Sequence, residues 1–428
     1  MKICKRQWGL LFLLFALTFP PALRADTVEL HPLHPIKGLN LRWVDVVYIT
    51  WFDRVSDDRW VVTIGLQVDI DKRPAYKIEF PDEDTTDRPL GTYLLLALIN
   101  HSGQIIMRSQ RLIPGAEFIG VHYARVRTLN PNAPDDECAY IVTPDFQRFY
   151  CFNTFLELLH RFRLPSRALG FDVFPDDEGN PALLVVQKRD HGWFHLLDPK
   201  TGKPIRSWVT TAQIINAMPN HLDPHQRHAI RTFLDHPEVD VMELPNVALA
   251  VQAPLIILFV SRNINFYLTA DDHSLKSFKT FDLSFRTPPV KILYGPAFTL
   301  EHAFPASAEK PLAKTWWLYG TVDALTRVSD LANIHLGLFL AQKKRYRSVK
   351  HRVVAVSPIL LELNLETGKT AILKQAIMTM EANNFYVPET LVLKKQHTLY
   401  GILDKFQLDP FRSQSILGYA TITSHARN

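Results

Sequence analysis

Residues 220–236, NHLDPHQRHAIRTFLDH, hold the densest histidine cluster in the chain. Asp223-Pro224 supplies an N-cap followed by proline at the first helical position, so a helix is predicted over 224–235. His225 and His228 are three residues apart on it, and His221 precedes the cap. Imidazoles so spaced bind zinc or copper when a further ligand joins them. No carboxylate stands at ligand spacing, Asp235 and Asp240 being merely nearby, so the expectation is a solvated helix and no metal. Two acidic stretches, PDEDTTD (81–87) and PDDEGN (175–180), have oxygen-rich composition suited to calcium. Neither has the spacing of an EF-hand loop, and both read as solvated turns.

The run KKRYRSVKHR (343–352) places Lys343, Lys344, Arg345, Arg347, Lys350 and Arg352 in ten residues. It is the candidate anion-binding segment, on a loop between predicted strands 335–341 and 353–356. Tyr346 is its single aromatic residue, too few to stack nucleic-acid bases, so no nucleic-acid partner is expected. Nucleophile elbow, H-E-x-x-H, Walker A and G-x-G-x-x-G patterns are all missing. No catalytic residue and no cofactor is assigned on that basis.

The first 25 residues read as a secretory signal. Lys2, Lys5 and Arg6 precede an apolar segment, Trp8–Phe19, and cleavage is predicted after Ala25. That removes four basic residues and no acids, and the formal charge falls from +5 to +1. The mature chain therefore has no general attraction to polyanions. The longest later apolar run, 247–260, contains Gln252 and Pro254 and reads as two buried strands, 247–252 and 255–260, so no membrane-spanning segment is expected. Cys138 and Cys151 are the two cysteines left after cleavage, an even number in an exported chain, which predicts a disulfide. Asn100-His101-Ser102 is a glycosylation sequon in a tight turn.

Short strands rich in Val, Ile, Tyr, Phe and Trp dominate the rest, bounded by Gly, Pro, Asn and Asp. Phe152, Phe155, Leu159 and Phe162 recur at helical spacing and predict a short helix over 153–162, with weaker helical segments at 210–218 and 323–333. Trp316-Trp317 adjoin in a predicted strand, so one ring is expected to face outward as a surface contact. Three hairpins share a pattern: an apolar run ends at Asn100, Asp198 or Asn364, and a glycine follows at Gly103, Gly202 or Gly368 before a second apolar strand. A weaker copy without the glycine lies at 267–281. The glycines are 99 and 166 residues apart, and only the first interval is near two propeller repeats of about 40–50 residues.

The turn Asp198-Pro199-Lys200-Thr201-Gly202-Lys203 resembles connections in exported β-propellers, PQQ-type repeats among them, over about 17 residues. The tryptophan signatures of those repeats are not visible, so the resemblance implies no quinone cofactor. The predicted fold is mainly β, a β-propeller-like repeat over 26–428 with a few short helices. The alternative is two β-sandwich-like domains divided near 210–236. The expected protein is an exported, soluble binding or interaction protein of the cell envelope, periplasmic or extracellular, with a protein or glycan partner. An exported hydrolase or glycan-active enzyme with a site in a central channel is the alternative, and a structural component of an envelope assembly the third reading.

Overall fold

Leu183–Val186 and Phe194–Leu197 are buried on both faces of their strands. A sheet of that kind needs a neighbour on each side. A computed structural model describes residues 27–39, 44–68, 92–114, 124–189, 192–218, 224–235, 246–250, 256–260, 264–269, 275–279, 293–305, 315–327, 351–375, 379–381, 384–395, 398–408 and 411–423, and shows how the neighbours are supplied.

Among these residues there are six antiparallel sheets. Strand β1 (Thr27–Pro35) opens the chain. Sheet I has β2 (Val44–Arg54), β3 (Arg59–Val68), β4 (Thr92–Asn100) and β5 (Ile105–Arg108), with β6 (Ile113–Pro114) also on β4. Sheet II has β7 (Arg125–Thr128), β8 (Tyr140–Thr143), β9 (Arg148–Phe152) and β10 (Leu158–Arg163). Sheet III has β11 (Gly170–Pro175), β12 (Pro181–Arg189), β13 (Gly192–Leu197) and β14 (Pro204–Trp208). Helices α1 (Thr211–Asn216) and α2 (Pro224–Asp235) follow. Sheet IV has β15 (Asn246–Ala250), β16 (Ile256–Val260), β17 (Ile264–Thr269) and β18 (Leu275–Lys279). Sheet V has β19 (Leu293–Pro305), β20 (Thr315–Arg327), β21 (His351–Asn364) and β22 (Thr370–Gln375). Sheet VI joins β23 (Thr379–Glu381), β24 (Asn384–Lys395), β25 (Thr398–Leu408) and β26 (Phe411–Thr423) to β1.

Each sheet is a meander, and the inner strands meet in a closed circuit. β2 touches β7, β7 touches β11, β11 touches β15, β15 touches β19, β19 touches β24, and β24 returns to β2. This is a β-propeller. The circuit excludes the two-sandwich arrangement. Its core is a stack of sheets. One face of sheet I (Phe52, Trp60, Val62, Ile64, Leu95) packs on Ile402 and Leu417 of sheet VI. Its other face (Trp51, Val61, Leu94, Leu96) packs on Tyr140, Val142 and Phe152 of sheet II. Ile141 and Phe149, across sheet II, meet Phe171, Leu183 and Leu197 of sheet III. The far face of sheet III packs Leu184, Val186 and Phe194 against Ile214 of α1 and Leu234 of α2. A capping box between Thr210 and Gln213 starts α1.

The ring closes by strand addition. β1 pairs with β26 from Thr27↔Thr423 to Pro35↔Ile416, joining opposite ends of the described chain. The following residues then cross to sheet I, where Lys37 N–H donates to Gly103 O (2.8 Å) and Ile105 N–H to Lys37 O (3.1 Å). Gly103 sits at φ +80°, and a Cβ there would lie 2.6 Å from Pro35 O. Gly103→Ala is expected to cost about 2 kcal/mol, read as a lowered denaturant midpoint; an unchanged midpoint would show that this crossing carries no stability.

The three glycine hairpins occupy equivalent places, joining the third and outer strands of sheets I, III and V. Asp198 N–H donates to Lys203 O and Gly202 N–H to Asp198 O, and Asn364, Lys369 and Gly368 repeat the scheme. The weak copy at 267–281 joins the corresponding strands of sheet IV.

Three sequence expectations are corrected. Residues 153–162 are not a helix. The Asn153 side chain accepts from Phe155 N–H and Glu157 N–H, Leu156 takes φ +62°, and this tight turn sends the chain back as β10. Residues 323–327 belong to strand β20. Trp316 and Trp317 are both buried, at 4% and 3% exposure, because β20 is an interior strand of sheet V.

Candidate functional site: the inner strands and the charged surfaces around them

Two short inner strands and the end of a third bring charge to the circuit. Arg127 of β7 reaches Asp172 of β11, with Nε 3.0 Å from Oδ1 and Nη2 3.5 Å from Oδ2, and both residues are 9% exposed. Asp172 Oδ1 also accepts Val173 N–H at 2.8 Å. Asp53 of β2 accepts Thr128 N–H on Oδ2 (2.8 Å) and Arg54 N–H on Oδ1 (2.9 Å). Thr128 Oγ1 donates to Arg54 O at 3.1 Å. Sheets I, II and III are thus linked from one inner strand to the next by charge-assisted bonds. Beside them the Arg125 guanidinium lies 3.2 Å from the centroid of the Trp51 ring.

Burial pushes the Asp53 carboxyl above its usual range. Arg127 and the Thr128 amide oppose that rise, and the Asp172 charge adds to it. A raised folded-state value means that Asp53 supports the fold most below its unfolded value of 3.8. That support is lost as pH rises from there through the folded value. The stability of the parent relative to Asp53→Asn is therefore expected to fall as pH is raised above 3.8. Denaturation of both proteins across this range checks it, and parallel pH profiles would contradict it.

Sequence reading missed this cluster. The signal was faint: Asp172 is an isolated charge in the apolar GFDVF, whereas Asp53 adjoins Arg54 in TWFDR and Arg127 follows Arg125 in RVRT. A second buried polar set was also missed. His195 is 1% exposed, with Nδ1 2.8 Å from Ser207 Oγ and Nε2 2.7 Å from Gln187 O. A carbonyl only accepts, so Nε2 carries the proton and Ser207 donates to Nδ1.

Cys138 and Cys151 form the expected disulfide, with Cα atoms 5.5 Å apart, between the lead-in to β8 and β9. Closing its loop is worth roughly 3 kcal/mol. Cys138→Ser/Cys151→Ser is expected to lose about that much in denaturant titration, and an equal midpoint would contradict it.

Other singled-out residues fall apart in space. Lys343, Lys344, Arg345, Arg347 and Lys350 lie outside the described residues, as do Ala25, the 81–87 stretch, His221 and Asp240; Arg352 is on β21. His228 of α2 is exposed. In the 175–180 stretch Asp176 accepts Glu178 N–H and Asn180 N–H, a turn bonded within itself. The Asn100 side chain likewise accepts Ser102 N–H and Gln104 N–H, so the sequon asparagine is engaged in its own turn.

The topology sorts surface charge. In sheets I–III the turns joining the first two strands hold Asp57 and Asp58, then Asp135, Asp136 and Glu137, then Asp176, Asp177 and Glu178, with no Lys or Arg among residues 55–58, 129–139 and 176–180. The outer strands of sheets I–V do the reverse, whereas β1, the outer strand of sheet VI, carries Glu29 and no Lys or Arg. β5 carries Arg108, β10 Arg161 and Arg163, β14 Arg206, β18 Lys276 and Lys279, and β22 Lys374, with no Asp or Glu on any of the five. The chain has 48 Lys and Arg against 43 Asp and Glu, so an unsorted surface would mix the signs.

No family model matches the chain, and no curated protein matches it. Solved structures do. The WD40 domain of SCAP from fission yeast is similar over 92% of this chain and 87% of that one, at 8% identity and TM-score 0.28. A protein of unknown function from Dyadobacter fermentans is similar over 93% and 99%, at 10% identity and TM-score 0.35. BamB from Moraxella catarrhalis is similar over 67% and 73%, at 10% identity and TM-score 0.23. Likenesses this distant carry no argument about what the chain does.

Proposed function

We propose that the chain is an exported binding module of the cell envelope, a rigid propeller that presents sorted charge to a protein or glycan partner. The distribution of charge carries this reading: in sheets I–III the turns joining the first two strands are acidic, and in sheets I–V the outer strands are basic, the two meeting in sheet III where Arg206 lies 3.4 Å from Asp177. Rigid sheets hold such turns at fixed separations, which lowers the ordering cost of binding. The Cys138–Cys151 bridge suits an oxidising compartment. Crosslinking in the producing cell tests the reading. Photoreactive residues on the turn face or outer strands should give a discrete adduct with one envelope component. No adduct from any surface position would contradict it. Export has its own test: the mature protein should begin at Asp26, and a retained Met1 would overturn it.

One observation favours a second reading, an exported glycan-active enzyme. Asp53 and Asp172 are two buried carboxyls on inner strands of neighbouring parts of the circuit, the first raised by burial and the second paired with Arg127 at 3.0 Å. Turnover of a glycan by the purified protein that Asp53→Asn abolishes would install this reading in place of the first.

A further inference from the structure

From the outer edge of sheet II we infer an interaction surface: β10 receives an extended, acidic segment of a partner protein as an added strand. The inference rests on the binding-module reading and names the partner class.

The register of β10 makes the edge specific. Leu164 N–H donates to Gln147 O, and Phe162 and Phe149 are paired two residues before. Residues 162 and 164 therefore spend their backbone groups on β9, and the alternation of an antiparallel ladder turns the N–H and C=O of Arg161 and Arg163 outward. Among the described residues β10 is the last strand of its sheet. It spans six residues without proline, so no donor is missing from the edge.

The side chains agree with the backbone. Arg161 and Arg163 are exposed and two residues apart, hence on the same side of the strand. A partner strand with carboxylates at alternating positions would face both guanidiniums. Phe155, in the turn that leads into β10, is 52% exposed and offers an apolar contact beyond them. Lysine and arginine on an edge can also serve to prevent pairing. A purely protective edge would not accept a carboxylate-bearing strand, so peptide binding separates the two roles.

The fold itself adds strands at this rim. β1 completes the edge of sheet VI from the other end of the described chain, and the segment around Lys37 pairs along the edge of sheet I beside Gln104. Strand addition is therefore a mode of contact that the outer edges already use.

The test uses the purified mature protein and a fluorescent synthetic peptide in which Glu alternates with Val over eight residues. Saturable binding in fluorescence anisotropy is expected, weakened at least tenfold by Arg161→Glu/Arg163→Glu. A version of the peptide with alternate residues replaced by proline should not bind, because it cannot join a ladder. Lys188→Gln, which removes an exposed base from β12 of sheet III, should bind as the parent does. Equal binding by the charge-reversed protein, or by the proline peptide, would overturn the inference, as would equal competition by inorganic polyphosphate. A folded Arg161→Glu/Arg163→Glu protein that keeps its cellular crosslinks while the peptide fails to bind the parent would sink this edge and leave the binding-module reading standing.

Discussion

Asp172→Ala is expected to lower stability by about 3–5 kcal/mol, because it strands the Arg127 guanidinium away from water. The pair is closely spaced, at 3.0 Å, with side chains 11% and 12% exposed. The cost should come from the charge left behind more than from the bond removed. The double variant Arg127→Met/Asp172→Leu should therefore recover part of the loss, since it removes both members of the pair and leaves the buried Asp53 carboxyl without the Arg127 charge. Chemical denaturation of the parent, both single variants and the double variant checks this. A loss below about 1 kcal/mol for Asp172→Ala would show that solvent reaches Arg127 and that the pair does not clasp sheets II and III.

Removal of residues 26–35 is expected to abolish cooperative unfolding altogether. β1 supplies the last strand of sheet VI, and the His31 ring stacks on Tyr419 at 4.5 Å. Without β1 the edge of β26 is laid open, which invites association between chains. The continuation of β1 also holds the edge of sheet I through Lys37. A synthetic peptide spanning 26–39 should restore a cooperative transition when added in trans. A truncated protein that unfolds at the parent midpoint would contradict closure by β1.

Strand content was legible in the sequence because β-branched and aromatic runs were bounded by turn residues, and the hairpins at Gly103, Gly202 and Gly368 marked equivalent connections. Their unequal spacing hid the repeat. The 99-residue interval spans sheets II and III, whereas the 166-residue interval spans sheets IV and V and adds α1, α2 and the long connection between β20 and β21. The false helix at 153–162 arose from chance periodicity. Phe155, one of the four residues in that pattern, is exposed in a turn, while Phe162 stacks on Phe149 across a strand pair. Trp316 and Trp317 misled for another reason: alternation separates the two faces of a strand, but both faces of an interior propeller sheet are covered. Asp53, Arg127 and Asp172 were unreadable as a cluster because 45 residues separate the last two and 75 separate Asp53 from Thr128, whose amide it accepts. The charge sorting needed the topology, since only strand order tells which strands are outermost.

The central proposal is that the propeller is exported and works by holding a partner on its outer surface. The most direct measurement is photocrosslinking in the producing cell with the photoreactive group at Phe155, beside β10, and at Ile205 on β14, both about half exposed. The account predicts one discrete envelope adduct, formed from at least one of these positions and lost on charge reversal of the adjoining arginines. No adduct at either position, together with substrate turnover that requires Asp53, would contradict it and move the function to the inner strands.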